Sequence, residues 1–276
     1  GLALALPAAA GLAGHLRLLS SARIAEAARF GGERPLPVPE PVIIPPAGPL
    51  PFVLYGDSHA MQYHAALTAR FGKGALLAKT SCLSAPGLAN LRASDPGGEE
   101  CRAMPARLVA LAQERGVRTI IWAQLWDRMI VEGDSATLIA PDSTAGVRAI
   151  AAGVVRLADD LPQGARIILI GNTPSAQTAA EPMYDGWLRC RTFLNAACPT
   201  SYPAAKAQGI AINAALKALA ERDPRFTFVD AAAPLCPGER CRVVQNGALN
   251  YWDAHHLTPT AANRVLATID AGLIQR

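Results

Sequence analysis

The sequence has few aromatic residues, no concentrated block of positive charge and no cysteine spacing typical of a metal site. Only 5% of the 276 residues are aromatic, whereas 51% are hydrophobic, so a core must be built mainly from Ala, Val, Leu and Ile. The net charge of +4 is small and scattered, and no run of Lys and Arg is long enough to predict nucleic-acid binding. The length suits one domain of about 200 residues with an appended segment.

The six cysteines fall into three pairs whose members are close in sequence. There is no C-x-x-C motif and no Cys/His spacing suited to zinc, so we expect no metal site. The even number favours disulfides in an oxidising compartment over six reduced thiols in the cytosol. Sequence alone does not fix the connectivity, and nearest-neighbour pairing is the hypothesis: Cys82–Cys101, Cys190–Cys198 and Cys236–Cys241.

The first 50 residues differ in composition from the rest of the chain. Residues 1–14 are apolar and uncharged, but a helix needs about 20 such residues to cross a bilayer. We interpret them as the end of a transmembrane helix, with an ordinary apolar helix as the alternative. An Arg-bearing, weakly amphipathic segment follows at 15–34, and the Pro-rich stretch at 35–49 predicts an extended spacer. The globular domain is therefore predicted over residues 51–276.

From residue 51 onwards, short apolar runs alternate with amphipathic stretches. This alternation predicts an α/β fold, a three-layer α/β/α sandwich with a five-stranded parallel sheet, in which ligands bind beyond the carboxyl ends of the strands. The predicted strands are Phe52–Tyr55, Ala75–Lys79, Val117–Ala123, Arg166–Ile170 and Phe226–Val229. The predicted helices are Ser58–Phe71, Ala103–Arg115, Ala145–Leu161, Ala204–Arg222 and Thr258–Ile274. Turn dipeptides at 237–238 and 246–247 predict a small hairpin before Tyr251.

A candidate nucleophile, Ser58, stands where the first strand meets the first helix, in the run Gly56-Asp57-Ser58-His59. The strand would hold the serine rigidly, and the free N–H groups at the helix start could stabilise a developing negative charge. The alternative is that Asp57 or Ser58 only caps the helix. Near the other end of the chain, Asp253 and His256 could supply an orienting carboxylate and a base from one tight turn.

The G-D-S-H start, the D-x-x-H-L-T end and the cysteines between them resemble the SGNH, or GDSL-type, hydrolase superfamily. The resemblance is closest to the periplasmic SGNH domain fused to a membrane-bound acyltransferase family 3 domain, and it covers roughly residues 51–276. It implies a flavodoxin-like fold and a triad of Ser58, His256 and Asp253. His255 is the rival base at the wrong spacing, whereas His15, His59 and His64 are expected to be partly exposed polar residues.

The oxyanion hole departs from the family pattern, which has a Gly after the second strand and an Asn after the third. Here Gln124 stands in the place of the Asn, the second-strand loop offers Ser81, and the backbone N–H of Ser58 is the most secure donor. Trp126 is a candidate for a sugar site. Asn172-Thr173-Pro174 after the fourth strand is either part of the rim of the site or a plain turn.

The resemblance implies a function at the cell envelope. We expect transfer of an acyl group, most simply acetyl, to hydroxyls of an envelope glycan, with no cofactor and with the acyl donor supplied through the membrane domain. The partners would be that domain and the glycan, with no nucleic acid, and the location would be the periplasmic face of a bacterial inner membrane. An esterase with the same triad and a non-catalytic glycan-binding module are the alternatives.

Overall fold

The computed structural model describes residues 42–48, 50–89, 98–127, 143–175, 200–207, 209–251 and 255–274, and the backbone of 130–132 and 138–139. The predicted membrane tether, the Cys190–Cys198 pair and Asp253 lie outside these residues. The other two predicted disulfides, Cys82–Cys101 and Cys236–Cys241, are confirmed. No helix among the residues described is long and apolar enough to cross a membrane.

A six-stranded sheet forms the centre of the domain. Its strands in chain order are β1 (Val42–Ile43), β2 (Val53–Gly56), β3 (Ala75–Ala78), β4 (Thr119–Ala123), β5 (Arg166–Ile170) and β6 (Phe226–Val229). Their spatial order is β1-β3-β2-β4-β5-β6. Strands β2 to β6 are mutually parallel and correspond to the five predicted strands. The mostly parallel sheet confirms the predicted α/β fold.

Strand β1 was not predicted, because it lies in the Pro-rich segment interpreted as a spacer. It pairs antiparallel with β3, with Val42 opposite Leu77 and Ile43 opposite Leu76. An edge strand tolerates nearby prolines because its outer side needs no ladder hydrogen bonds. The residues after β1 are held by Arg115, whose guanidinium donates to the carbonyl oxygens of Pro45 (3.0 Å) and Gly48 (2.8 Å). The end of the proline-rich segment therefore packs as part of the domain.

Among the described residues, five α-helices cover the sheet: α1 (Ser58–Phe71), α2 (Glu99–Arg115), α3 (Thr144–Asp160), α4 (Ala211–Arg222) and α5 (Pro259–Leu266). The last two are shorter than predicted. A strand and a 3₁₀ turn at 201–206 precede α4, and α5 stops at Leu266. The guanidinium of Arg70 on α1 donates to the carbonyls of Leu266 and Ile269, which satisfies acceptors that a continuing helix would otherwise use.

Alternate residues of each strand point to opposite faces of the sheet, as strand geometry requires. Val53, Tyr55 and Trp122 belong to one apolar cluster, together with buried residues of α2, α3 and α4. Leu54 and Ile121 belong to a second cluster, with buried residues of α1 and α5. Each cluster packs one layer of helices against one face of the sheet, which gives the three layers of the predicted α/β/α sandwich.

Short peripheral strands form small sheets separate from the central one. They are Leu88–Ala89, Ile130–Glu132, Leu138–Ile139, Ser201–Pro203, Arg240–Arg242, Val244–Gln245 and Ala248–Leu249. The last two form the predicted hairpin, whose turn residues Asn246 (φ 52°) and Gly247 (φ 75°) both adopt positive φ. Positive φ at both central residues is typical of a type I′ turn, which Asn-Gly favours. The hairpin leads into a loop that is closed by a β-bridge between Tyr251 and Leu257.

Candidate active site

The carboxyl end of β2 brings Ser58 to the edge of the sheet. Gly56 makes this possible: its φ is +140°, and a Cβ atom there would lie 1.8 Å from the carbonyl oxygen of Ala123 on β4. Only glycine allows the two strands to approach this closely. Ser58 is the first residue of α1 and is partly exposed. Its backbone N–H lies in the first helical turn, where it has no acceptor within the helix.

Asp57 caps α1 and connects it to β4. One carboxylate oxygen accepts from the backbone N–H of His59 at 2.8 Å, and both oxygens lie 3.2 Å from the backbone N of Leu125, just after β4. The side chain is fully buried. The capping interpretation of Asp57 is confirmed, and the same carboxylate fixes the start of α1 against the neighbouring strand.

Ser58 and His256 form a hydrogen bond although they are 198 residues apart in the sequence. The Nε2 atom of His256 lies 2.8 Å from the Oγ atom of Ser58. This is the separation expected of a nucleophile and its base. The Nδ1 atom of His255, the rival base, instead lies 3.1 Å from Nε2 of His59. Asp253 lies outside the described residues, so its role remains a prediction.

Gln62, which the sequence did not indicate as part of the site, and Thr173, from the segment predicted as a rim or a plain turn, hold the His255–His256 turn. The backbone N–H of Leu257 donates to the Oε1 atom of buried Gln62 at 2.7 Å, and the hydroxyl of Thr173 donates to the carbonyl of His255 at 2.9 Å. Gln62 follows Ser58 by four residues, a spacing that places both on one face of a helix and could have drawn attention to it. Thr173 lies in the segment after β5, which the sequence predicts to be either part of the rim of the site or a plain turn.

The three predicted oxyanion or substrate residues lie in different environments. Ser81 follows β3, is partly exposed and has a positive φ of 58°. Gln124 follows β4 beside Gly56 and is 1% exposed, and its Oε1 atom accepts from the backbone N–H of Ser84 and the indole N–H of Trp122. The Nε2 atom of Gln124 is buried with no hydrogen-bond partner among the described residues.

Trp126, in contrast, has no surface with which to contact a sugar. It is 0% exposed and belongs to the core cluster under β2, β4 and β5. Its backbone N–H donates to Oδ1 of Asn172 at 2.8 Å, and its indole N–H donates to the carbonyl of Ile170 at 2.9 Å. Because both donors and the whole ring are used inside the protein, the structure favours core packing over a sugar-binding role for Trp126.

His59 also differs from the expectation of partial exposure. It is 2% exposed and packs beneath the turn that carries His255 and His256. The ring centroids of the three histidines are 4.3–5.2 Å apart, and the ring planes of His59 and His255 are stacked at 14°. His64, further along α1, is partly exposed as expected, and burial lowers its pKa. The site therefore contains three imidazoles in mutual contact, not one.

Comparisons with known proteins identify the family of this chain. The family described as "SGNH domain (fused to AT3 domains)" matches residues 25–271. None of the curated proteins matches the chain. The match confirms the predicted family and, with it, the type of enzyme, a serine-based acyltransferase or esterase.

Solved structures with a similar fold include the periplasmic domain of a lipopolysaccharide acetyltransferase from Salmonella ser. Paratyphi A. The two chains are 14% identical with a TM-score of 0.55, and the alignment covers 80% of this chain and 82% of that one. The C-terminal catalytic domain of Streptococcus pneumoniae peptidoglycan O-acetyltransferase A, solved with a methylsulfonyl adduct, is also similar. It is 14% identical with a TM-score of 0.41, over 80% of this chain and 91% of that one.

Proposed function

We propose that this chain, which belongs to the family of SGNH domains fused to AT3 domains, transfers an acyl group to hydroxyls of a cell-envelope glycan. Acetyl is the simplest group to expect, because the two similar structures are named as acetyltransferase domains. The observation that carries the proposal is the 2.8 Å contact between Ser58 Oγ and His256 Nε2. A serine on a helix N-terminus, paired with a histidine, is suited to forming an acyl-enzyme.

The chemistry follows from these positions. Ser58 Oγ attacks the acyl carbonyl of the donor while His256 Nε2 takes the hydroxyl proton, and the backbone N–H of Ser58 stabilises the oxyanion that forms. Collapse of this intermediate breaks the bond to the donor, and the leaving group takes the proton from His256. A glycan hydroxyl then gives its proton to His256 and attacks the acyl-serine, which releases the glycan ester and restores Ser58. Asp253 would orient His256 during both half-reactions.

The setting of this reaction is part of the proposal. The family description names a fusion to AT3 domains, so the acyl donor would come from a membrane-embedded domain of the same protein, without a cofactor held by this domain. The two disulfides suit an oxidising compartment, and one of the similar structures is described as a periplasmic domain. We therefore place the domain on the periplasmic face of a bacterial inner membrane.

The first test is covalent labelling of Ser58. Purified protein is treated with a small fluorophosphonate and its intact mass is measured. We expect one adduct on the unmodified chain and none on Ser58→Ala, with labelling of His256→Ala slower by ~100-fold or more, because a general base contributes ~10²–10⁴-fold. Ser201→Ala is the matched control, since Ser201 lies in a peripheral strand and interacts with Arg240.

Labelling also separates the alternatives. An adduct that persists in Ser58→Ala, or that never forms on the folded protein, would contradict the proposed acyl-enzyme. If Ser58 is labelled, a chromogenic acyl ester is offered with and without acceptor sugars. Acylated sugar indicates a transferase, whereas release of free acid alone indicates an esterase, which differs only in admitting water to the acyl-enzyme.

A further inference from the structure

We propose that His59, His255 and His256 form a binding site for a divalent cation of the Zn²⁺ type. Each of the three residues offers one ring nitrogen, and these nitrogens all lie within 4.8 Å of one another. No spacing in the sequence indicates such a site, because His59 and His255 are 196 residues apart. Neutral imidazole is a preferred ligand of Zn²⁺, Cu²⁺ and Ni²⁺, and three histidines with one open position form a known zinc arrangement.

One distance within the cluster is close to that of tetrahedral coordination. Zn–N bonds of about 2.0–2.1 Å place two ligand nitrogens of a tetrahedral site about 3.3–3.4 Å apart. The Nε2 atom of His59 and the Nδ1 atom of His255 are already 3.1 Å apart. The other separations between ligand nitrogens are at most 4.8 Å, so the three nitrogens must move closer together to bind one ion.

The backbone around the cluster is held before any ion arrives. His59 is 2% exposed in the first turn of α1, whose start is fixed by Asp57. His255 and His256 lie on the turn held by Thr173 and Gln62. A preformed site loses little freedom when a ligand binds, which favours affinity. Hydrogen bonding between neutral rings is the competing explanation of the cluster, and it predicts no affinity for metal.

An ion at this site would compete with the proposed chemistry. A ring of His256 that coordinates a cation is unavailable as a free base beside Ser58, because metal binding requires its lone pair. The cation would therefore act as a reversible inhibitor of acyl transfer. This consequence rests on the proposed function, whereas metal binding itself does not.

The binding test uses the full chain without an affinity tag, freed of metal by a chelator. Zn²⁺ is titrated by calorimetry, and Co²⁺ is added to a parallel sample to follow the visible absorption of tetrahedral cobalt. We expect one ion per chain. His59→Asn and His255→Asn should each weaken binding at least tenfold, because losing even an indirect partner of a ligand costs ~10–100-fold.

His64→Asn is the matched control, since His64 lies on the same helix and outside the cluster. It should bind zinc as the unmodified protein does. No binding by the unmodified chain, or equal affinity in His59→Asn and His64→Asn, would overturn the site.

Inhibition is then measured by fluorophosphonate labelling with and without Zn²⁺. Labelling should stop when zinc is bound and resume when a chelator is added, and His59→Asn should need at least tenfold more zinc. The chain could bind zinc through His59 and His255 and still show no labelling of Ser58. That result would refute the proposed acyl transfer but support the metal site. Normal labelling at saturating zinc would refute inhibition, and labelling without zinc binding would refute the metal site alone.

Discussion

Replacing Gly56 by alanine tests whether the close approach of β2 and β4 builds the site. The added Cβ would lie 1.8 Å from the carbonyl oxygen of Ala123. Cβ atoms in real structures essentially never come closer than 3.0 Å to another heavy atom, so the strands must separate. The φ of +140° adds backbone strain of roughly 1–3 kcal/mol, and overpacking adds roughly 1–3 kcal/mol more. We expect Gly56→Ala to lower the free energy of unfolding by about 3 kcal/mol or more.

Gly72→Ala is the control that separates strain from contact. Gly72 also has a positive φ, +90°, but a Cβ there would meet nothing within 4 Å. The control should therefore lose only the strain contribution, roughly 1–3 kcal/mol. Both variants are compared by urea unfolding, in which the midpoint and slope give the change in free energy.

Ser58 labelling gives a second measurement on the same pair. Separation of β2 from β4 would move Ser58 relative to His256, and a misplacement of about 1 Å can cost ~100-fold in rate. We expect slow labelling of Gly56→Ala and normal labelling of Gly72→Ala. Equal losses of stability in the two variants, with equal labelling rates, would refute the reasoning that contact with β4 fixes the serine.

Three further predictions address the support of the site and the core. Gln62→Leu removes the acceptor of the Leu257 N–H, so we expect slower Ser58 labelling and a loss of about 1–3 kcal/mol in urea unfolding, with partial rescue in Gln62→Glu; unchanged labelling would exclude a positioning role. Burial lowers the pKa of His64, so the unfolded chain binds the proton more readily, and stability should be full above pH 6.5 and fall below it. His64→Asn should flatten this pH dependence of the urea midpoint, and an unchanged slope would contradict it. Trp126→Phe removes the donor to the buried carbonyl of Ile170 and should cost about 1–3 kcal/mol, whereas a change below about 0.5 kcal/mol would show that the bond contributes little.

The sheet was predictable because its signal is local. Four of the five parallel strands, β2 to β5, are short apolar runs buried on both faces almost throughout, so four or five consecutive residues are enough to identify each one. Strand β1 was missed for the same reason: Val42 and Ile43 are two residues among prolines, and only the exposed edge of β3 makes them a strand. The end of α5 was likewise decided by Arg70, which lies 196 residues away from Leu266.

Motifs in the sequence were enough to predict that Ser58 and His256 meet, whereas burial decided the surroundings of Trp126 and His59. Trp126 was a candidate for a sugar site, but packing under the sheet buries it completely. His59 was expected to be partly exposed, but the turn that carries His255 covers it. Burial of a single side chain depends on what the rest of the chain places above it, and local sequence does not contain that information.

The sequence by itself indicated the α/β alternation and the choice of Ser58 and His256 as partners, and it offered nearest-neighbour disulfide pairing as a hypothesis that the structure confirmed for two pairs. These follow from local patterns and from residue types that only a few reactions use. Only the tertiary structure decided that the partners meet at 2.8 Å, that Gln62 and Thr173 hold the turn, and that three histidines form one cluster. Those features need contacts between residues more than 80 positions apart, and such contacts arise only when the sheet and its helices are packed.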